Sequence, residues 1–218
     1  KDFHNDWMAQ DMGFSAHDQL APSFADFLIA HVSAKVAQKM EQNIWQGAAA
    51  NAGEFGGFDE LLLADGDVID VASTSVTSSN VIAQLGAIVD AIPSTLYNSE
   101  DMFLYISQNM ARAYVRALGG FASSLGAAGT DSKGTQWYNG GGLSFDGIKI
   151  FVANGLPDNH AVAAEKSNLY FGTGLLSDQN EVKVIDMADI DGSSNVRIVM
   201  RFTAGVQYGI GSDIVLYS

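Results

Sequence analysis

The residues from Pro22 to Gly47, PSFADFLIAHVSAKVAQKMEQNIWQG, carry the longest uninterrupted helical pattern in the chain. Phe24, Leu28, Val32, Val36, Met40 and Ile44 recur every four residues, and Phe27, Ile29 and Trp45 widen the stripe. Ser23 is placed to cap the start, with Asp26 three residues on in the capping-box position, near the positive end of the helix dipole. Gly47 is placed to supply a left-handed stop. A helix over residues 24–46 makes a rod of roughly 35 Å. With a single apolar stripe, such a rod needs a sheet or a neighbouring chain along its whole length.

The chain has 218 residues, enough for one large domain or two small ones with a proper core. Only 17% of them are charged, below the usual quarter, which fits a surface partly hidden in contacts. No apolar run reaches membrane-spanning length, and no secretory leader pattern is present. The absence of cysteine removes disulfides, thiolate metal sites and cysteine nucleophiles together. The net charge of −14 is uneven: residues 1–100 hold 3 basic and 14 acidic side chains, residues 101–218 hold 8 and 11. An acidic first half repels phosphate and argues against a nucleic-acid grip through a Lys/Arg stripe. It serves solubility, or it complements a basic partner surface.

Along the chain, residues 1–21 are polar with isolated aromatics (Phe3, Trp7, Phe14) and read as an extended arm or loop. Because the chain begins with Lys1, upstream residues are expected to have been removed. Glycines 53, 56 and 57 mark a loop, Val68 to Val71 a short strand, and TSVTSSN a polar connector suited to a domain boundary. Asn80 or a neighbouring serine caps a second helix, VIAQLGAIVDAI, with an apolar face at 81, 82, 85, 88, 89 and 92, closed by Pro93. Residues 102–107 form a buried strand, and Ser107 caps a third helix stopped by Gly119 and Gly120. The glycine-rich stretch 119–142, with Trp137 and Tyr138, is long enough to be functional, and 121–142 is expected to be the most mobile internal segment. Asp146-Gly147 between LSF and IKIFV signals a type I′ hairpin, and residues 154–159 form a second turn cluster. The end of the chain is β: EVKVIDM, then NVRIVMRFTAGVQYG with Val196, Ile198, Met200 and Phe202 on one face, then IVLYS. The layout is α+β, without regular βαβ alternation.

Chemistry-bearing motifs fail on inspection. His4, His17, His31 and His160 form no metal-binding pair, and His31 reads as a core-edge or surface residue of the long helix. Gly172-Thr173-Gly174 and Gly209-Ile210-Gly211 lack the third glycine of a dinucleotide loop, since Ser177 and Ile214 stand there. Asp189, Asp191 and Gly192 match part of a calcium loop, but Met187 and Ile198 occupy its first and last ligand positions. Asp65, Asp67 and Asp70 read as turn and solvated-face residues. No catalytic, cofactor-binding or metal residue is assigned, and no catalysis or cofactor is expected.

The order of these segments carries a resemblance. The long helix ends in QNIWQG, GEFGGF follows, and a capped helix ends in AIP before STLYNSEDMFLYIS. Then come GIKIFVANGLPDN, SNLYFGTGLLSD, EVKVIDM and RIVMRFTAGVQYGIGSDIVLY. From Pro22 to Ser218 this resembles the major capsid protein of tailed double-stranded DNA bacteriophages, the Hong Kong 97-type coat fold. The resemblance implies a spine helix at 23–46, packed on long antiparallel strands in a discontinuous peripheral (P) domain of residues 1–77 and 166–218. Residues 78–165 then form the axial (A) domain, with 119–142 as its axis-facing loop. It also implies a homo-oligomer of pentamers and hexamers building an icosahedral shell around DNA in a virion, made in a host bacterial cytoplasm. Scaffolding, portal and decoration proteins are the implied partners. A bacterial nanocompartment shell shares the fold and is the alternative within this class; a soluble enzyme or ligand-binding domain is the alternative outside it. With only 22 residues before the spine helix, the arm and extended loop of the family do not both fit. This form is therefore expected to stay monomeric or to stop at rings at low salt, its acidic surfaces repelling one another.

Overall fold

The structure, a computed structural model, describes residues 22–97, 99–120, 143–174, 182–187, 190, 192, 195–201 and 203–218. These resolve into two compact units, one of residues 1–39 with 173–203 and one of residues 40–172 with 204–218.

The larger unit is built on a six-stranded mixed sheet. Its strands are β1 (Ile69–Val71), β2 (Met102–Ile106), β3 (Ser144–Phe145), β4 (Ile148–Val152), β5 (Ala161–Glu165) and β10 (Val215–Tyr217), in the order β1-β10-β5-β2-β4-β3. β1 runs parallel to β10 and β2 parallel to β4, while β5 is antiparallel to both its neighbours. Residues alternate between the faces. Leu104, Ala161, Ala163, Val215 and Tyr217 point to one core, beneath α3 (Val81–Asp90) and α4 (Gln108–Val115). Val162, Ala164 and Leu216 point to the other, beneath α2 (Phe58–Ala64) and the end of the long helix α1 (Pro22–Gln46). The middle strands are thus buried on both faces, and β5 reads Ala-Val-Ala-Ala because helices press on it from each side.

Local chemistry sets most of these boundaries. Asp146 and Gly147 take φ of 45° and 83°, the left-handed pair that a type I′ hairpin needs, and β3 and β4 pair across them. Helix α3 buries Val81, Leu85, Ile88 and Val89, and Ile92 just beyond it is buried too; Ile82, expected on the same face, is exposed. Helix α1 starts at Pro22, so Ser23 lies inside the first turn instead of capping it; a proline at the first helical position gives up no hydrogen bond.

Long-range pairing decides how the polar connector and the last strands are placed, and it corrects the single long strand read near the chain's end. The TSVTSSN connector runs within the larger unit. Ser73 N donates to Ser218 O, Thr74 N to the Tyr217 hydroxyl and Val76 N to Asn159 Oδ1. The compact units part at 39/40, 172/173 and 203/204, and β1 and β10 bind their flanks of the chain into the six-stranded sheet. The long strand read over 195–209 is two. Val196–Met200 (β8) pairs with Val182–Asp186 (β7) from Val182↔Met200 to Asp186↔Val196, and Ala204–Tyr208 (β9) pairs with Leu169–Thr173 (β6). Each partner strand is five residues long, so each ladder ends where its partner does. Among the described residues the smaller unit holds the first part of α1 and the β7–β8 hairpin. The arm 1–21, the loop 121–142, Asp189, Asp191 and Phe202 lie outside the described residues.

Candidate functional site

The end of α1 is the best-built point of the larger unit. Trp45 packs on Phe58 at 5.4 Å and on Tyr105 at 5.3 Å between ring centroids. Gly47 does not take the expected left-handed conformation; it is glycine because a side chain there would strike the carbonyls of Phe55 and Asn43. Gly57 is equally confined, with a Cβ position 2.7 Å from Gly47 N, and a Cβ on Gly155 would meet the Glu41 carbonyl. Gln46 Nε2 donates to Gly155 O at 3.0 Å, and Gly57 N to Gly47 O at 2.7 Å. Two loops are thereby clamped on the helix end. Asn43 Oδ1 is buried there without a hydrogen-bond partner.

The titratable groups singled out from the sequence take structural roles. His160 Nδ1 lies 2.8 Å from Asp59 Oδ1, joining the turn before β5 to the first turn of α2. His31 is half-buried and stacks on Phe27 at 6.5 Å. Asp65 Oδ1 accepts from Asp67 N, a turn bond within its own loop, and Asp65 Oδ2 accepts from the Tyr208 hydroxyl at 2.7 Å. The Tyr208 bond, then that of Asp67 N, hold the Asp65 carboxyl below its ordinary value. The same bond pushes the Tyr208 phenol up to about 12. Gly209-Ile210-Gly211 does present adjacent amides, but Asn168 Oδ1 takes those of Gly209 and Ile210, at 3.0 and 2.8 Å. Among the described residues no group of three or more histidine, aspartate or glutamate side chains could hold a metal ion.

Sequence reasoning missed the asparagines. Asn109 Oδ1 accepts from Ser107 Oγ, Met110 N and Asn159 N, and Asn109 Nδ2 donates to Asn159 Oδ1. Ser107 does hold the N-cap position of α4, but its hydroxyl is turned to Asn109. Asn159 sits at φ 63°, where asparagine is tolerated better than most residues. Asn154-Gly155-Leu156-Pro157-Asp158-Asn159 was legible as a turn, and that left-handed residue was the one signal available.

Surface chemistry separates the two units. The cross-strand register puts Lys183, Ile185, Arg197 and Val199 on one face of the β7–β8 hairpin and Val182, Val184, Val196, Ile198 and Met200 on the other. Lys183, Arg197 and Arg201 are exposed. Between Lys39 and Arg112 the chain holds 10 acidic residues and no lysine or arginine. Glu60, Asp67 and Asp70 of that stretch are exposed, as is Leu63 at 55%.

No family model and no curated protein matches the chain. Solved structures do. A chain from Mycobacterium phage Che8 aligns with a TM-score of 0.56 at 13% identity, covering 90% of this chain and 63% of that one. A chain from the satellite phage P4 procapsid including size determination (Sid) protein aligns with a TM-score of 0.53 at 8% identity, covering 98% of this chain and 70% of that one. This chain has the fold of phage capsid proteins. It spans less than two thirds of the Che8 chain. What is shared is the α+β architecture, a mixed sheet with few helices. Among the described residues no helix is long and apolar enough to cross a membrane.

Proposed function

We propose that this chain is the coat subunit of a phage capsid of the Hong Kong 97 type. In this reading it assembles as pentamers and hexamers into an icosahedral shell that encloses double-stranded DNA, and its place is the virion. The role is structural, and no chemistry is asked of any side chain. The observation that carries the reading is the fold likeness over 98% of the chain to a procapsid chain. The surface agrees with it: the stripe Leu28, Val32, Val36, Met40 and Ile44 of α1 is nowhere fully buried. A stripe left half-covered suits a helix that finishes its burial against neighbouring subunits. The assignment of 1–77 and 166–218 to a peripheral domain and of 78–165 to an axial one belongs to this proposal, with β1 and β10 as the strands shared with the axial sheet. So do the scaffolding, portal and decoration partners.

The test is the native mass. Expressed protein should sediment as rings or closed shells visible by electron microscopy, and shells from infected cells should protect DNA from nuclease. A chain that stays monomeric at every concentration and salt would sink the reading.

A further inference from the structure

We propose that the β7–β8 hairpin is a docking surface for a second copy of this chain, received on the acidic flank formed by α2 and β1. This rests on the reading of the chain as a shell subunit and adds which surfaces meet.

The hairpin's side of the argument is its register. Lys183 lies opposite Val199, and Arg197 opposite Ile185, so one face carries two cations around two apolar side chains, with Arg201 exposed just past the strand end. None of the β7 and β8 residues whose side chains are described is fully buried. A two-stranded ladder is marginal by itself in water, and exposed ladder edges and faces of this kind are completed by another element.

The receiving side is complementary in shape of charge and in its apolar centre. Glu60 and Leu63 are neighbours at helical spacing on α2, Asp67 stands in the turn after it, and Asp70 lies on β1, an edge strand of the six-stranded sheet. All four side chains are exposed. Leu63 beside Glu60 matches Val199 among cations, and opposite potentials of this kind steer encounter and fix register. The described residues of the larger unit hold 14 acidic and 4 basic side chains, so its surface favours a cationic partner such as the hairpin face. Because the two patches differ, each copy offers both a hairpin and a flank, the kind of contact that rings and shells are built from.

The prediction for salt is opposite to that from net charge. Uniform repulsion predicts that salt promotes association; a complementary contact predicts that about 1 M salt, where the Debye length is ~3 Å, weakens it. The experiment is sedimentation of the full chain, of Arg197→Glu/Arg201→Glu, of Asp67→Lys/Asp70→Lys and of the two variants mixed, each at low and high salt, with circular dichroism to establish folding. Asp67 and Asp70 are chosen because Glu60 Oε2 accepts from Ala49 N and Asp65 is held by Tyr208, while Asp70 Oδ1 has only a 3.5 Å contact from the Ser218 hydroxyl at the exposed chain end. Expected is association of the wild-type chain at low salt, a loss of roughly a hundredfold in association constant for either variant, and recovery on mixing them, since like charges placed opposite each other are strongly unfavourable. Rings or shells that form equally well with either folded variant overturn this inference and leave the shell reading standing. A chain that is monomeric under all conditions overturns both. Variants that lower the unfolding midpoint of an unassociated chain without altering its mass overturn the docking role too.

Discussion

The two compact units are made of similar residues and are finished to very different degrees. In the larger one, two clusters close on the faces of a single sheet, and Val81, Leu85, Ile88, Leu104, Ile106, Ile214 and Tyr217 are fully out of solvent. In the other, Met187 alone is buried among the described residues, although Leu28, Val32, Val36, Val184, Ile198 and Met200 are as apolar as any core. Apolar sequence therefore does not make a core; a second layer does. Half-covered apolar stripes on a helix and a hairpin are what the proposed shell role would cover with another copy.

The largest expected effect breaks the comparison directly. Leu104→Ala or Leu85→Ala removes a fully buried side chain between sheet and helices and should lower stability by about 2–5 kcal/mol in urea unfolding. Val36→Ala and Ile198→Ala, at half-exposed positions, should cost less than about 1 kcal/mol in the unassociated chain. By the same logic aspartate at Val36 or Met40, which the helical stripe alone marks as unfolding, should leave the monomer folded and act on assembly. Equal losses in the two units would erase the distinction.

A smaller effect sharpens it at the α1 end. Gly155→Ala sets a methyl against the Glu41 carbonyl and 2.8 Å from Trp45 Cδ1, an overpacking expected to cost about 1–3 kcal/mol. Gly205→Ala has nothing within 4 Å of its new Cβ and should stay within roughly 0.5 kcal/mol of the wild type. Thermal unfolding of both variants reads the contrast. Replacing Asn109 by leucine should fall in the same range, about 1–3 kcal/mol, by stranding the donors of Ser107, Met110 and Asn159.

The smallest effect is one of pH. Tyr208 is raised to about 12, so its bond to Asp65 stabilises fully below the unfolded tyrosine value of about 10 and is lost as pH climbs through about 12. Asp65 is lowered, so its contribution is present above the unfolded carboxylate value of about 3.9 and disappears as pH falls through the lower folded value. Burial also raises Tyr105 and Tyr114, so phenolate absorbance should show several late-titrating tyrosines, and Tyr208→Phe should remove one of them. If the late amplitude is undiminished in that variant, this pairing is not its source.

Much of the local structure was readable because it depends on neighbours in sequence. The long helix, the Asp146-Gly147 hairpin, the β2 strand with Ser107 after it, and the apolar face of α3 follow from period and turn chemistry. The order of segments also carried the resemblance to phage capsid proteins that the fold comparison bears out. Asp65, read as a turn residue, does accept from Asp67 N within its own loop; its bond to Tyr208 and that of His160 to Asp59 join elements far apart in the chain and had no signal in the sequence.

What the tertiary structure alone decided is which apolar surfaces are paired and with what. Periodicity marks Val36, Ile82 and Leu85 alike, yet only Leu85 meets a sheet that hides it completely. Gly47 and Gly155 are forced by backbones that approach from elsewhere in the chain, and no local pattern announces such an approach. The break between β8 and β9 comes from their having different partners, β7 and β6. The sequence by itself determined most of the elements and the α+β class, since hydrogen-bond geometry and side-chain period are local. Burial, strand partners and the unfinished hairpin surface depend on contacts between residues far apart, and those exist only once the chain has closed on itself.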